Sequence, residues 1–378
     1  MAAQIEDIRN ESLIRRKWNF PVSNPFDYPE GILITGANSF IGCHLVSILQ
    51  NKNAGPLHLL VRAPSEHEAL IKIQQSFLNW GLGEVDKEDV VIHVGDVSKN
   101  RMNLNQAEFL QLKKEVGRVV HLAGTPLYHL PYEHFKRVWI PELERMIAFC
   151  GDPAAPKSLH YASSFNTNFF QTEEDFKALN TNAWQSGYAG FKWIANKAIL
   201  NAMALNLRGC IYDIPLVLGS ETNGICPGHY TIWLILDIFL KTGCYFPFSF
   251  RIIPVDTLAE IIAFNIEGEK ENKSTSFVRP VLSEPVTDKM FSRMVASMLG
   301  LKETEMETVK KACRNKLRFD FIMPGNFYDL MERVNNLPSV FPRGFDEKNL
   351  PLAPLVFIRN LNHILTRSHE NIERIYQP

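Results

Sequence analysis

Long apolar runs are missing from this 378-residue chain; the greasiest stretch, "TIWLILDIFL", is short and carries Asp237 in its middle. A bilayer span needs about 20 apolar residues, so a core helix is expected there and no membrane span. Net charge is nearly absent: 40 basic side chains against 41 acidic ones leave a formal charge of -1. No whole-molecule field exists to draw in nucleic acid or an anionic membrane. Cysteine is sparse and unpatterned: Cys43, Cys150, Cys210, Cys226, Cys244 and Cys313 show neither CxxC spacing nor a histidine cluster. That argues against zinc and against a secreted disulfide framework, and a cytoplasmic location is expected. The N-terminal "MAAQIEDIRNESLIRRKWNF" has acidic residues and no apolar core, so neither a signal peptide nor a transit peptide is expected. Internal repeats and low-complexity tracts are also lacking.

What the chain does have is enough apolar content, 46%, to bury a large core as one big domain or two unequal ones. Short aliphatic runs, "GILIT", "LHLLV", "VVIHV", "RVVHLA" and "SLHYAS", alternate with stretches of helical spacing such as "FIGCHLVSILQ" and "EHEALIKIQQSFLNW". Strands apolar along their whole length, separated by helices, predict an α/β Rossmann-type doubly wound parallel sheet. The expected organisation is an N-terminal arm over 1–30 and a dinucleotide-binding domain over 31–220. A smaller, mainly helical C-terminal substrate-binding part follows over 221–378, with the strand and helix of 251–266 returning to the main sheet.

At the first strand-to-helix turn stands "GILITGANSFIG". The first amides of a helix have no acceptor within it, and they point outward with the positive dipole end, so an anionic pyrophosphate can dock where glycine lets it approach. Gly36 would make the tight turn and Gly42 would let the helix pack closely on its strand. Ser39 sits between them, where its hydroxyl could itself bond phosphate. A plain structural turn is the alternative.

Arg62 follows the second strand, where a carboxylate would select the free ribose hydroxyl of NAD; a cation there favours the 2'-phosphate of NADP. Lys72 on the next helix could reach the same phosphate or be a solvated charge. Asp96 follows the third strand and could accept from an adenine amino group or cap a turn. In "SGYAGFKWIANKAIL", Tyr188 and Lys192 lie four apart and share a helix face. A neighbouring ammonium favours phenolate, bringing the tyrosine into range to exchange a proton with a developing alkoxide. Such a pair also arises by chance. Ser164, ending the fifth strand in "HYASSFN", could orient a carbonyl or simply close a turn.

Taken in order, the glycine turn, Arg62, Asp96, "HLAG" at residues 121–124, Ser164 and the Tyr188–Lys192 pair resemble the extended short-chain dehydrogenase/reductase family. "LITGANSFIG", "LLVRA", "YASS", "SGYAGFKW" and "IIPVDTLAE" are most similar to its thioester reductase branch, which includes terminal reductase domains of nonribosomal peptide synthetases and carboxylic acid reductases, with fatty acyl-CoA reductases more distant. The resemblance runs over about residues 31–265. It implies NADPH-dependent release of an acyl chain from a carrier-protein or CoA thioester as an aldehyde, or an alcohol. It also implies roles: Tyr188 as acid, Lys192 on the nicotinamide ribose, Ser164 on the carbonyl, and Arg62 with Lys72 on the 2'-phosphate. Gly36, Ser39, Phe40, Ile41 and Gly42 would hold pyrophosphate, with Asp96, Val97 and Ala123 completing the NADP(H) set.

Three departures stand out. "VWIPE" replaces the family's "NVxGT", putting Val138 where an Asn helps organise the lysine and a water; "DIP" at residues 213–215 replaces "RPG"; and "HLAGTPLYH" replaces "HNAA". Two further readings therefore stay open: an NADP-binding regulatory or assembly protein, and a related reductase or epimerase acting on a sugar nucleotide or sterol. An acyl substrate would arrive in trans as acyl carrier protein or acyl-CoA. "RRKW" and "KKACRNKLR" could dock an acidic carrier, but a solvated helix face is the safer reading of both.

Overall fold

The computed structural model describes residues 8, 10–22, 28–124, 130–169, 186–228, 230–271, 273–282, 284–313 and 327–371. Two compact units divide the chain: unit 1 holds residues 1–214, 259–279 and 340–345, and unit 2 holds 215–258, 280–339 and 346–378.

Unit 1 is built on β1 (Gly31–Thr35), α1 (Phe40–Asn51), β2 (Leu57–Val61), α2 (Glu66–Asn79), β3 (Val90–Val94), α3 (Gln106–Glu115), β4 (Val116–His121), α4 (Tyr132–Cys150), β5 (Ser158–Ala162), α5 (Ser186–Ala204) and β6 (Gly209–Tyr212). With β10 (Phe277–Val278) these strands form a seven-stranded sheet in the order β10-β6-β5-β4-β1-β2-β3, every neighbour parallel. This is the Rossmann-type doubly wound arrangement expected from the sequence. The strand order reverses between β1 and β4, and sites in such sheets open at the carboxyl ends of the strands beside that point. β1, β2 and β4 are buried along their whole length, as crossover helices on both faces require. β3 is the edge and leaves Val91 exposed.

Local signals start the helices where the sheet needs them. Ser39 caps α1, Ser65 caps α2, and Asn105 with Glu108 forms a reciprocal capping box on α3. The core on one side of the sheet joins Phe135, Leu143, Met146 and Ile147 of α4 to Ile194, Ala198, Ile199 and Ala202 of α5. Each large apolar side chain buried here contributes about 1.5–3 kcal/mol, and the alanines let the helices approach closely. The N-terminal arm belongs to the same core. Ile8 is fully buried, and a Cβ on Gly190 of α5 would meet its Cδ1 at 2.6 Å. The Tyr132 hydroxyl donates to Glu11 at 3.1 Å, Asn201 of α5 donates to the Arg16 carbonyl at 2.7 Å, and Arg16 pairs with Glu144.

Unit 2 contains β7 (Leu216–Leu218), α6 (Thr231–Thr242), β8 (Cys244–Tyr245), β9 (Ile252–Pro254), the start of α7 (Val255–Glu267), α8 (Asp288–Leu299), β11 (Lys302–Glu303), α9 (Met306–Ala312), α10 (Phe327–Asn335) and α11 (Ala353–Asn371). Its core is aromatic, with Phe239, Phe248, Phe250, Phe291 and Phe357 in ring contact. "TIWLILDIFL" is the core helix α6, whose Asp237 pairs with Lys241 one turn on at 2.9 Å. No described helix is long and apolar enough to cross a membrane.

One expectation is corrected. The strand near residue 252 does not rejoin the main sheet: β9 pairs with β7 in a two-stranded sheet, while the helix after it contributes its residues from 259 onward to unit 1. The place beside β6 is taken by β10, whose Val278 carbonyl accepts from the Asp213 amide at 2.8 Å. Pro215 follows with no N–H to give, so the chain leaves the sheet there.

Candidate active site

The site forms at the carboxyl ends of β1, β4 and β5. Gly36 adopts φ +75°, and a Cβ there would lie 2.8 Å from the Ala123 amide nitrogen. A Cβ on Gly42 would lie 2.3 Å from the Gly36 carbonyl. Both glycines are thus required by the protein's own backbone, which leaves the bare turn an anion needs. Ser39 has a different task from the clearance a third glycine would give: its Oγ accepts from the Gly42 amide at 3.1 Å as the cap of α1. Its hydroxyl proton remains to donate outward. Ile41 sits at the second helical position, and the Phe40 side chain turns into the core against His44 and Trp80.

Arg62 is exposed directly after β2, and Lys72 donates to the Arg62 carbonyl at 3.1 Å. Lys72 is thereby anchored to the strand end that bears Arg62, the other cation expected at a 2'-phosphate. Asp96 spends Oδ1 on the Ser98 amide at 2.9 Å, closing a turn, and Val97 packs its side chain into the core. Their remaining contributions to a nucleotide are one carboxylate oxygen and the backbone. The Ala123 amide donates to Thr35 Oγ1 at 3.2 Å.

Lys192 is the hub of the other half. Burial pulls its ammonium down to about 8, against the opposing pull of Glu142. Its Nζ donates to the Ala162 carbonyl at 2.7 Å and to the Tyr161 hydroxyl at 3.1 Å. It lies 5.9 Å from the ring centre of Tyr188, which is half-buried and packs edge-on against Phe135. Ser164, two residues beyond Ala162, is held in a turn: its Oγ accepts from the Asn166 amide at 3.4 Å. Thr167 of the same turn accepts from Asn196 of α5 at 3.4 Å. One helix thereby carries Tyr188 and Lys192 and grips the segment bearing Ser164.

Departures from the family pattern have local partners. Asp213 is buried, and its Oδ2 accepts from Arg279 Nε at 2.7 Å and from Asn168 at 3.0 Å. This ties the end of β6 to the turn after Ser164. Glu142, one helical turn beyond Val138, is buried beside His121, whose Nε2 lies 3.0 Å from its Oε1. His121 Nδ1 in turn meets Thr35 Oγ1 at 2.8 Å. Thr35, His121, Glu142 and Tyr161 were not singled out as site residues from sequence. The available signal was Glu142 itself, a charge at the apolar i+7 position from Phe135. Residues 125–129 of "HLAGTPLYH" and 314–318 of "KKACRNKLR" lie outside the described residues. No His, Cys, Asp or Glu cluster among the described residues could hold a metal.

Residues 34–262 match the model of the NAD-binding family described as "Male sterility protein". The chain belongs to this family, an extended short-chain dehydrogenase/reductase group of the thioester reductase type that binds NAD(P)H. Among curated relatives, isonitrile lipopeptide synthase of Streptomyces coeruleorubidus is 23% identical over 66% of this chain and 17% of its own length. L-2-aminoadipate reductase of Saccharomyces cerevisiae is 21% identical over 64% of this chain and 19% of its own. The chain thus spans less than a fifth of either relative. Among solved structures, the terminal R domain from the myxalamid PKS-NRPS pathway superposes with TM-score 0.72 at 18% identity, covering 98% of both chains. That likeness establishes the fold.

Proposed function

We propose that this protein is an NADPH-dependent reductase that releases an acyl chain from a carrier-protein or CoA thioester as an aldehyde. The observation that carries the reading is Lys192: it reaches the end of β5 at 2.7 Å while standing 5.9 Å from the Tyr188 ring, drawing both catalytic candidates and the Ser164 turn together. A regulatory nucleotide-binding protein has no need of that phenol beside a buried ammonium.

The residues present fit NADP(H): a glycine turn whose bareness the backbone enforces, the amide of Ile41 at the start of α1, and Arg62 with Lys72 for the 2'-phosphate. When bound, NADPH supplies the hydride; the net reaction converts thioester, NADPH and one proton to aldehyde, thiol and NADP⁺. Ser164 and Tyr188 donate hydrogen bonds to the thioester oxygen as its charge grows, and Tyr188 gives up its proton there. Lys192 stabilises the phenolate left behind and holds the nicotinamide ribose. When the resulting hemithioacetal collapses, the C–S bond breaks and the thiol leaves with the proton of the hydroxyl group. The acyl thioester comes in trans, and the six free cysteines suit a reducing cytoplasm.

The test mixes the pure protein with NADPH and a panel of acyl thioesters, following loss of nicotinamide absorbance. Thioester-dependent oxidation should fall by about 10²–10⁴ in Tyr188→Phe, with NADPH affinity retained. Tight NADPH binding without turnover of any thioester would overturn the reading.

A further inference from the structure

We propose that Glu142 is a positioning residue for the reaction, the fixed counter-charge that keeps Lys192 an ammonium, with His121 and Thr35 holding its carboxylate in place. The proposal rests on the reductase reading for its purpose, but its geometry stands independently of substrate.

A buried lysine loses its hydration, and the neutral amine is then favoured unless an anion lies near. Lys192 is 7% exposed, and its two hydrogen-bond acceptors, the Ala162 carbonyl and the Tyr161 hydroxyl, are both uncharged. The titratable groups gathered around it are Tyr188 on its own helix, Tyr161 on β5, His121 on β4 and Glu142 on α4. Among the described residues, Glu142 is the one carboxylate in this group. The arm's Glu11 is engaged by the Tyr132 hydroxyl at 3.1 Å.

Glu142 is 1% exposed, and neither of its oxygens has a well-directed hydrogen bond among the described residues. Such a group is costly to bury, and stability alone gives no reason for it. The His121 contact at 3.0 Å anchors one side. On its other side the ring is fixed as well: His121 Nδ1 meets Thr35 Oγ1 at 2.8 Å, and the same oxygen accepts from the Ala123 amide at 3.2 Å. Held from both sides, the histidine fixes the place of the Glu142 carboxylate, whose charge acts on Lys192. Pro141 precedes Glu142 within α4 and cannot donate a helical hydrogen bond, an irregularity that coincides with this buried charge.

The experiment follows the Lys192 ammonium by nitrogen-15 lysine NMR in the full chain without substrate, assigned with Lys192→Met. The wild-type midpoint is expected at about 8. Glu142→Gln should lower it by about one pH unit or more, and the alkaline limb of the pH profile for thioester reduction should move down with it. Glu142→Asp should shift it less. If Glu142→Gln does not fold, the Asp variant decides alone. An unchanged midpoint in a folded variant overturns the proposal even if the enzyme is slower, since a purely structural role would cost activity without moving the titration. Failure of every thioester would sink the reductase reading and leave the titration result standing.

Discussion

Lys192 Nζ donates to the Tyr161 hydroxyl at 3.1 Å and lies 4.6 Å from the centre of the same ring. The phenol is therefore both an acceptor and a polarisable wall for the cation. Burial above all, then the negative charge of Tyr188 when it ionises and that of Glu142, hold the Tyr161 proton on, well above the usual phenol range. Tyr161 stays neutral, so it orients Lys192 without competing with Tyr188 for the proton.

A pH prediction follows for stability. The folded Lys192 titrates at about 8, below its unfolded value of about 10.4. The unfolded chain binds more protons between these values, so the lysine's contribution to stability rises with pH across that window and is lost as pH falls through 8. Buried thiols such as Cys150, pushed up to about 12, act in the opposite sense, so the comparison must be with Lys192→Met. In urea unfolding, the stability of Lys192→Met relative to wild type should decline by up to about 1.4 kcal/mol per pH unit from pH 8 to 10. A pH-independent difference would contradict it.

Arg62→Ala should weaken NADPH by about tenfold or more, the worth of a charge-assisted contact of about 1.5–3 kcal/mol. NADH, which lacks the 2'-phosphate, should be nearly unaffected. Fluorescence titration with both nucleotides measures this, and equal losses would remove Arg62 from its assignment.

Gly42→Ala places a methyl group against the Gly36 carbonyl. The expected result is a loss of about 1–3 kcal/mol of stability, as for other overpacked sites, together with loss of dinucleotide binding. Thermal unfolding and nucleotide titration test the two parts. Ser39→Gly is the contrast: removing the cap costs only a few tenths of a kcal/mol, about as other Ser-to-Gly caps do.

Arg279→Ala leaves the buried Asp213 carboxylate without its cation and should cost about 3–5 kcal/mol. Asp213→Asn combined with Arg279→Ala should recover part of that loss. A double-mutant cycle in denaturant reads the coupling, and additive effects would show that the pair does not act as a unit.

The strands were legible because aliphatic runs such as Leu57–Val61 are buried on both faces, leaving no polar alternation to misread. Gly36 and Gly42 were legible because their need is steric and local. Arg62 could be placed because strand ends are fixed by the fold. The partners of the unusual residues were hidden, since they come from far along the chain: Asp213 meets Arg279 across 66 residues, and Thr35 meets His121 across 86. Such contacts depend on strand order, which periodicity does not encode. β9 was misjudged for the same reason, because a three-residue strand carries no sign of which neighbour it will choose.

The arm gives the dinucleotide fold an upstream start. Ile8, Glu11 and Arg16 close the seam between the helix carrying Glu142 and the helix carrying Lys192. A version trimmed to begin at Gly31 would retain every strand yet strip the brace from those two helices, so its loss would be felt first in the spacing of the charged pair rather than in the sheet.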